Sequence, residues 1–133
     1  KAPQDDLINM KTGMFGYKGG IHYHIADCIN DEIDAIDRSL GKNEKTAAVA
    51  RIIDRHIHRN YKFWPINYYC YELMTGDTQF ADKYTAEEKS KLEAYLQGQI
   101  AKIDLENRDD EFCRIKIIEM YANPVKNYLE AVK

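Results

Sequence analysis

The sequence is short of several things, and each shortage argues against a class of protein. It has three cysteines, Cys28, Cys70 and Cys113, far apart and with no CxxC pair. That argues against a disulfide scaffold or a cysteine-rich zinc site, and the three read as buried thiols. An odd count favours a reducing compartment, so the expected location is cytoplasmic. The start at Lys1 and the polar head as far as Asp6 would also suit a mature secreted chain. Serine is confined to Ser39 and Ser90, neither of them in a nucleophile elbow. The glycines from Gly13 to Gly20 lack the Lys-Ser/Thr ending of a phosphate loop. No apolar run exceeds four residues, too few for a bilayer-spanning helix or a signal-peptide core. A dominant charge is missing too. With 19 basic and 22 acidic residues the net charge is -3, too mild to imply a nucleic acid or a membrane as partner.

What is present is the balance of a globular domain. The 133 residues are 44% hydrophobic and 31% charged, enough for one core and short for two. A single helical domain over 1–133 is expected, with an irregular glycine-containing head over 1–20. Ile21, Ile25, Ile29, Ile33, Ile36 and Leu40 recur at helical spacing, and Gly41 follows as a stop, which predicts a long amphipathic helix. A second helix is expected over 44–61, joined to the first by a short link as an antiparallel hairpin. Pro65 at a first turn and Gly76 at an end bound a third. Thr85 and Glu88 form a capping box for a fourth, running on to about Ile103. Asn107 to Asp110 reads as a turn. The stretch 111–121 reads as helix because a lone strand has no partner, and Pro124 restarts or kinks the chain before a last short helix. The expected fold is therefore all-α, an up-and-down-like bundle of five or six helices.

Some polar side chains fall where the apolar arcs should be. His22 and Glu32 do so on the first expected helix, and His56 and Asn60 on the second. Across the hairpin His56 lies level with about Ile29, with Glu32 about one turn away, so Glu32 and His56 are expected to touch. They form the first candidate metal or acid–base pair, because a buried carboxylate needs a partner. His24, Asp27 and Asp31, at helical spacing on the polar face, form a second candidate set for a divalent ion, with Asp54 and His58 as further ligands. No Glu-x-x-His motif accompanies either set, and no resident cofactor is implied.

Arg51, Arg55, Arg59 and Lys62 make a basic line along the second helix that is suited to phosphates. The acidic face of Asp27, Asp31, Asp34 and Asp37 opposes it, so nucleic-acid binding is not expected. Arg51 and His58 are loosely similar to the Arg-spacer-His pair of small all-helical ribonucleases, with Ile52 where a polar residue usually follows the Arg. In that reading Arg51 holds the scissile phosphate and His58 moves a proton.

The ten tyrosines are the compositional signature, together with four Phe and one Trp. The densest stretch holds Tyr61, Phe63, Trp64, Tyr68, Tyr69 and Tyr71. Tyr and Trp dominate binding hot spots, so Tyr61, Phe63, Trp64, Tyr68 and Tyr71 are expected to form a partner-binding surface. The partner would be another protein or a second copy of the chain. A small-molecule pocket with Asn60, Lys62 and Asn67 as polar contacts is a further reading. The expected function is a non-catalytic protein–protein interaction or regulatory module. The alternative is a metal- or His-dependent enzyme.

Overall fold

The computed structural model describes residues 2–17 and 19–133. The fold is all-α, a small bundle of six α-helices with one short 3-10 turn at Ala81–Lys83 and no strand among the described residues. In chain order the helices are α1 (Pro3–Phe15), α2 (Asn30–Asp34), α3 (Lys42–Arg59), α4 (Pro65–Thr75), α5 (Ala86–Ala101) and α6 (Asp110–Ala131).

The core lies in the C-terminal half, where local signals are strongest. Pro65 occupies the first turn of α4, and the Trp64 N–H ahead of it donates to Asn67 Oδ1 at 2.9 Å. At the other end Gly76 takes φ 74°, the left-handed conformation that costs a side-chain-bearing residue about 1 kcal/mol or more. The box ahead of α5 forms as expected: the Glu88 N–H donates to Thr85 Oγ1 at 3.1 Å, and the Thr85 N–H donates to Glu88 Oε2 at 2.8 Å. The expected turn before α6 forms around Asn107, at φ 56°, and Asp109 caps the helix by accepting the Phe112 N–H. Helix α4 packs chiefly on α6, bringing Tyr69, Cys70 and Tyr71 against Ala122 and Val125, while Leu96 of α5 closes the cluster. Cys70, Ala122 and Val125 have no exposed surface.

Three expectations are corrected. The chain past Glu111 does not stop at Pro124, since α6 runs through it for 22 residues. Pro124 leaves the Met120 carbonyl without its helical donor. One residue along, the Asn67 side chain donates to the Tyr121 carbonyl at 2.9 Å, so α4 supports the backbone where the helix is weakened. The head, expected to be irregular, contains α1. The Ala2 N–H donates to Asp5 Oδ2 at 2.8 Å, two acids sit in the first turn, and Gly16 ends the helix. Gly13 lies inside it, at a cost of only about 1 kcal/mol relative to Ala.

The long isoleucine helix does not form. Residues 21–29 have no regular secondary structure, and only the five-residue α2 remains of it, packed on α3. The expected antiparallel hairpin of two long helices is therefore absent. An apolar stripe makes a helix stable only if something covers it, and here Ile25 is 94% exposed. The segment instead alternates with a period of two. His22, His24 and Ala26 face a cavity, while Ile21, Tyr23 and Ile25 face outward.

Candidate functional site

A cleft of about 490 Å³ opens between the 20–29 segment and α3. The segment supplies His22, His24, Ala26, Asp27 and Ile29 as one wall. The floor is apolar, formed by Ile53 and Ile57 at helical spacing on α3. His56 and Asn60 flank the floor, and Tyr61, Lys62 and Trp64 close the far end just past the helix. Three of the four histidines in the chain thus line the one cleft.

The contact expected between Glu32 and His56 is present. Glu32 Oε1 lies 2.5 Å from His56 Nε2, and the other carboxylate oxygen accepts from Arg55. Glu32 is half exposed rather than buried. Its carboxyl is held below the usual carboxylate range by the His56 hydrogen bond, against a smaller desolvation effect and with help from the Arg55 charge. With its Nε2 facing Glu32, the His56 ring has one nitrogen oriented by a carboxylate, the arrangement that fixes a tautomer. The Asn60 side chain donates to the His56 carbonyl at 2.8 Å.

Gly20 rests on the Trp64 ring, where an added Cβ would collide with the benzo edge of the indole. A larger residue here would require either the segment or the Trp64 ring to move. Lys62 Nζ stands 6.0 Å from the Trp64 ring centroid and has no ion pair among the described residues.

The proposed aromatic surface divides in two. Tyr61 and Trp64 are about two-fifths exposed and belong to the cleft. From Tyr61 a ladder of rings leads inward: Phe63 at 6.1 Å, then Tyr68 at 5.7 Å and Tyr128 at 5.4 Å from Phe63, and Phe80 at 5.1 Å from Tyr68. Tyr71 is buried, 9% exposed, against Phe80 and belongs to the core cluster. Asn67 is spent on the Trp64 N–H and the Tyr121 carbonyl and is not a pocket residue.

The second candidate metal set is not assembled. Among the described residues no three His, Cys, Asp or Glu side chains gather into a metal-binding group. For His24, Asp27 and Asp31 the physical reason is that residues 24 and 27 are not on a helix, so the three-and-four spacing stacks nothing. Arg51 is exposed on α3, while His58 packs on the Tyr61 ring at 5.6 Å, and neither lines the cleft. The basic line is partly committed, with Arg55 on Glu32 and Arg59 Nε donating to the Ala131 carbonyl at 2.7 Å, at the C-terminal end of α6. No helix among the described residues is long and apolar enough to cross a membrane.

Sequence reasoning named most of the cleft residues but scattered them over separate sites. It missed Gly20 as a contact of Trp64. The available signal was the glycine pair followed by His22-x-His24-x-Ala26, a period of two set inside the period of four that the isoleucines carry. Compared with known proteins, the chain matches no family model, no curated protein and no solved structure.

Proposed function

We propose that this chain is a non-catalytic interaction module that offers α1 as a ligand helix to an apolar groove on another protein. The observation that carries the reading is the exposure of α1. Leu7, Ile8, Met10, Met14 and Phe15 are 58–78% exposed, on a helix that touches no other element among the described residues. At 100° per residue these five share one arc, spaced as anchors for a groove. An isolated helix of 13 residues is marginal in water, so a partner supplies its stability. Further along the chain Tyr17, Ile21, Tyr23 and Ile25 are exposed as well, at 62–98%. Half-exposed Tyr61 and Trp64 extend the interface toward the bundle.

Lys11 lies inside the apolar arc. In a parallel pairing of two copies it would meet its own copy, and like charges would oppose the pairing. A groove on a different protein, with a carboxylate at its rim, accommodates it. The test uses the whole chain as bait with native interactors, next to a variant carrying Leu7→Asp and Phe15→Asp. One defined partner that is captured by the first and lost by the second is the expected result. A partner retained by the variant, or a chain that only dimerises through α1 in sedimentation equilibrium, would overturn it.

A further inference from the structure

We propose that the cleft between residues 20–29 and α3 binds a small aromatic acid, a flat ring system of one or two rings carrying a single anionic group. The volume of about 490 Å³ falls within the range of small-molecule sites. The floor is apolar and uncovered, since Ile53 and Ile57 are each more than two-fifths exposed beneath the segment that spans them. A flat apolar body would remove this floor and the open part of Trp64 from water together.

The charge of the ligand follows from the groups around the floor. Lys62 has its ammonium over the indole and no carboxylate partner among the described residues, so it is available to an anion beside the ring. His22 and His24 add imidazole donors from the opposite wall. The negative charge nearest His56 is that of Glu32, already matched by Arg55 and the imidazole. Asp27 is the single carboxylate that lines the cleft, and it favours a cation there. The Lys62 ammonium balances it in charge, and His22 and His24 on the segment wall add N–H donors, so donors outnumber carboxylate acceptors around the floor and an anion is preferred. Gly20 sets the width of the cleft, because its contact with Trp64 fixes how closely the segment approaches the ring.

Trp64 is the one tryptophan of the chain, so its indole N–H gives a single resonance that reports on the site without assignment. The experiment titrates the full chain with 2-naphthoate, with neutral 2-naphthamide and with cationic 2-naphthylmethylamine. Naphthoate is expected to shift the resonance saturably and to bind roughly tenfold more tightly than the amide, the worth of one charge-assisted hydrogen bond in a half-open site. Lys62→Met should abolish that difference and leave the amide unchanged, and Gly20→Val, which drives the segment off the ring, should weaken all three. The Leu7→Asp, Phe15→Asp variant should bind naphthoate as the parent does, so failure of the interaction reading leaves this one standing. No saturable shift, equal affinity for acid and amide, a preference for the amine, or loss of binding in the Leu7→Asp, Phe15→Asp variant would each overturn the proposal. Failure of Lys62→Met to change the preference would overturn the assignment of the anion to Lys62.

Discussion

Glu32 Oε1 and His56 Nε2 are 2.5 Å apart, and this contact, together with the Arg55 hydrogen bond to the other carboxylate oxygen, fastens a five-residue helix to an eighteen-residue one. Helix α2 has few other means of attachment, since it is too short to bury an apolar face and contains no buried residue. The 20–29 segment is tethered on one side by this contact and on the other by Gly20 against Trp64. The cleft therefore owes its second wall to a hydrogen-bonded pair and a glycine contact, not to a packed core.

The tether is pH-dependent. The His56 hydrogen bond and the Arg55 charge lower the Glu32 pKa from its ordinary value of 4.5. A carboxylate lowered in the folded state contributes fully above that ordinary value, and its contribution fades as pH falls through the lowered one. Acidification through the carboxylate range should release α2 and the 20–29 segment, and the Trp64 indole resonance should follow while amides of α4 and α6 stay protected from exchange. Glu32→Gln should show the released state already at neutral pH. An indole resonance in Glu32→Gln identical to that of the parent would count against the tether.

A second pair secures the core. Arg114 donates to both oxygens of Glu93, at 2.7 and 3.1 Å, and the Tyr69 hydroxyl donates to one of them at 3.0 Å. The Arg114 hydrogen bonds, against an opposing desolvation effect, bring the Glu93 pKa down from 4.5 to about 2. The sign is that of a lowered carboxylate: full stabilisation above pH 4.5, lost between there and about 2. Glu93 remains 37% exposed, so solvent screening reduces the effect, and Glu93→Gln should cost ~1–2 kcal/mol at neutral pH. Urea denaturation of parent and variant at neutral and acid pH checks this, with the difference shrinking in acid. A pH-independent difference would remove Glu93 from the account.

The two halves of the molecule should differ in their response to truncation. Leu96 is 1% exposed at the meeting of α4, α5 and α6, and Leu96→Ala should destabilise by ~3 kcal/mol through the cavity it leaves. Leu7→Ala removes a side chain that touches no other element and should change stability by no more than ~0.5 kcal/mol. Thermal melts of the two variants decide it. A comparable loss from Leu7→Ala would mean that α1 packs on the bundle.

How much of this was legible depended on how local the signal was. Thr85 and Glu88, Pro65 and Gly76, and the turn at Asn107 act within a few residues of themselves, and each marked its helix end correctly. The Glu32–His56 contact was also anticipated, although from a hairpin of two long helices that does not form. The aromatic stretch was visible, but its division into core and cleft was not. Which of six neighbouring rings is covered depends on where Phe80 and Tyr128 arrive from distant parts of the chain.

The sequence alone determined that the protein is all-α, where α4 begins and ends and where α5 begins, because a cap, a proline and a glycine set those limits through backbone geometry and hydrogen bonds closed within one turn. Only the tertiary structure decided the state of residues 21–29. Their isoleucines fit a helix, and their histidines fit an extended wall. Neither pattern is stable until a surface covers one of its faces. In this fold His22, His24 and Ala26 line a cleft opposite α3 and Trp64 while Ile25 stays 94% exposed, so a cleft stands where the sequence predicted a helix.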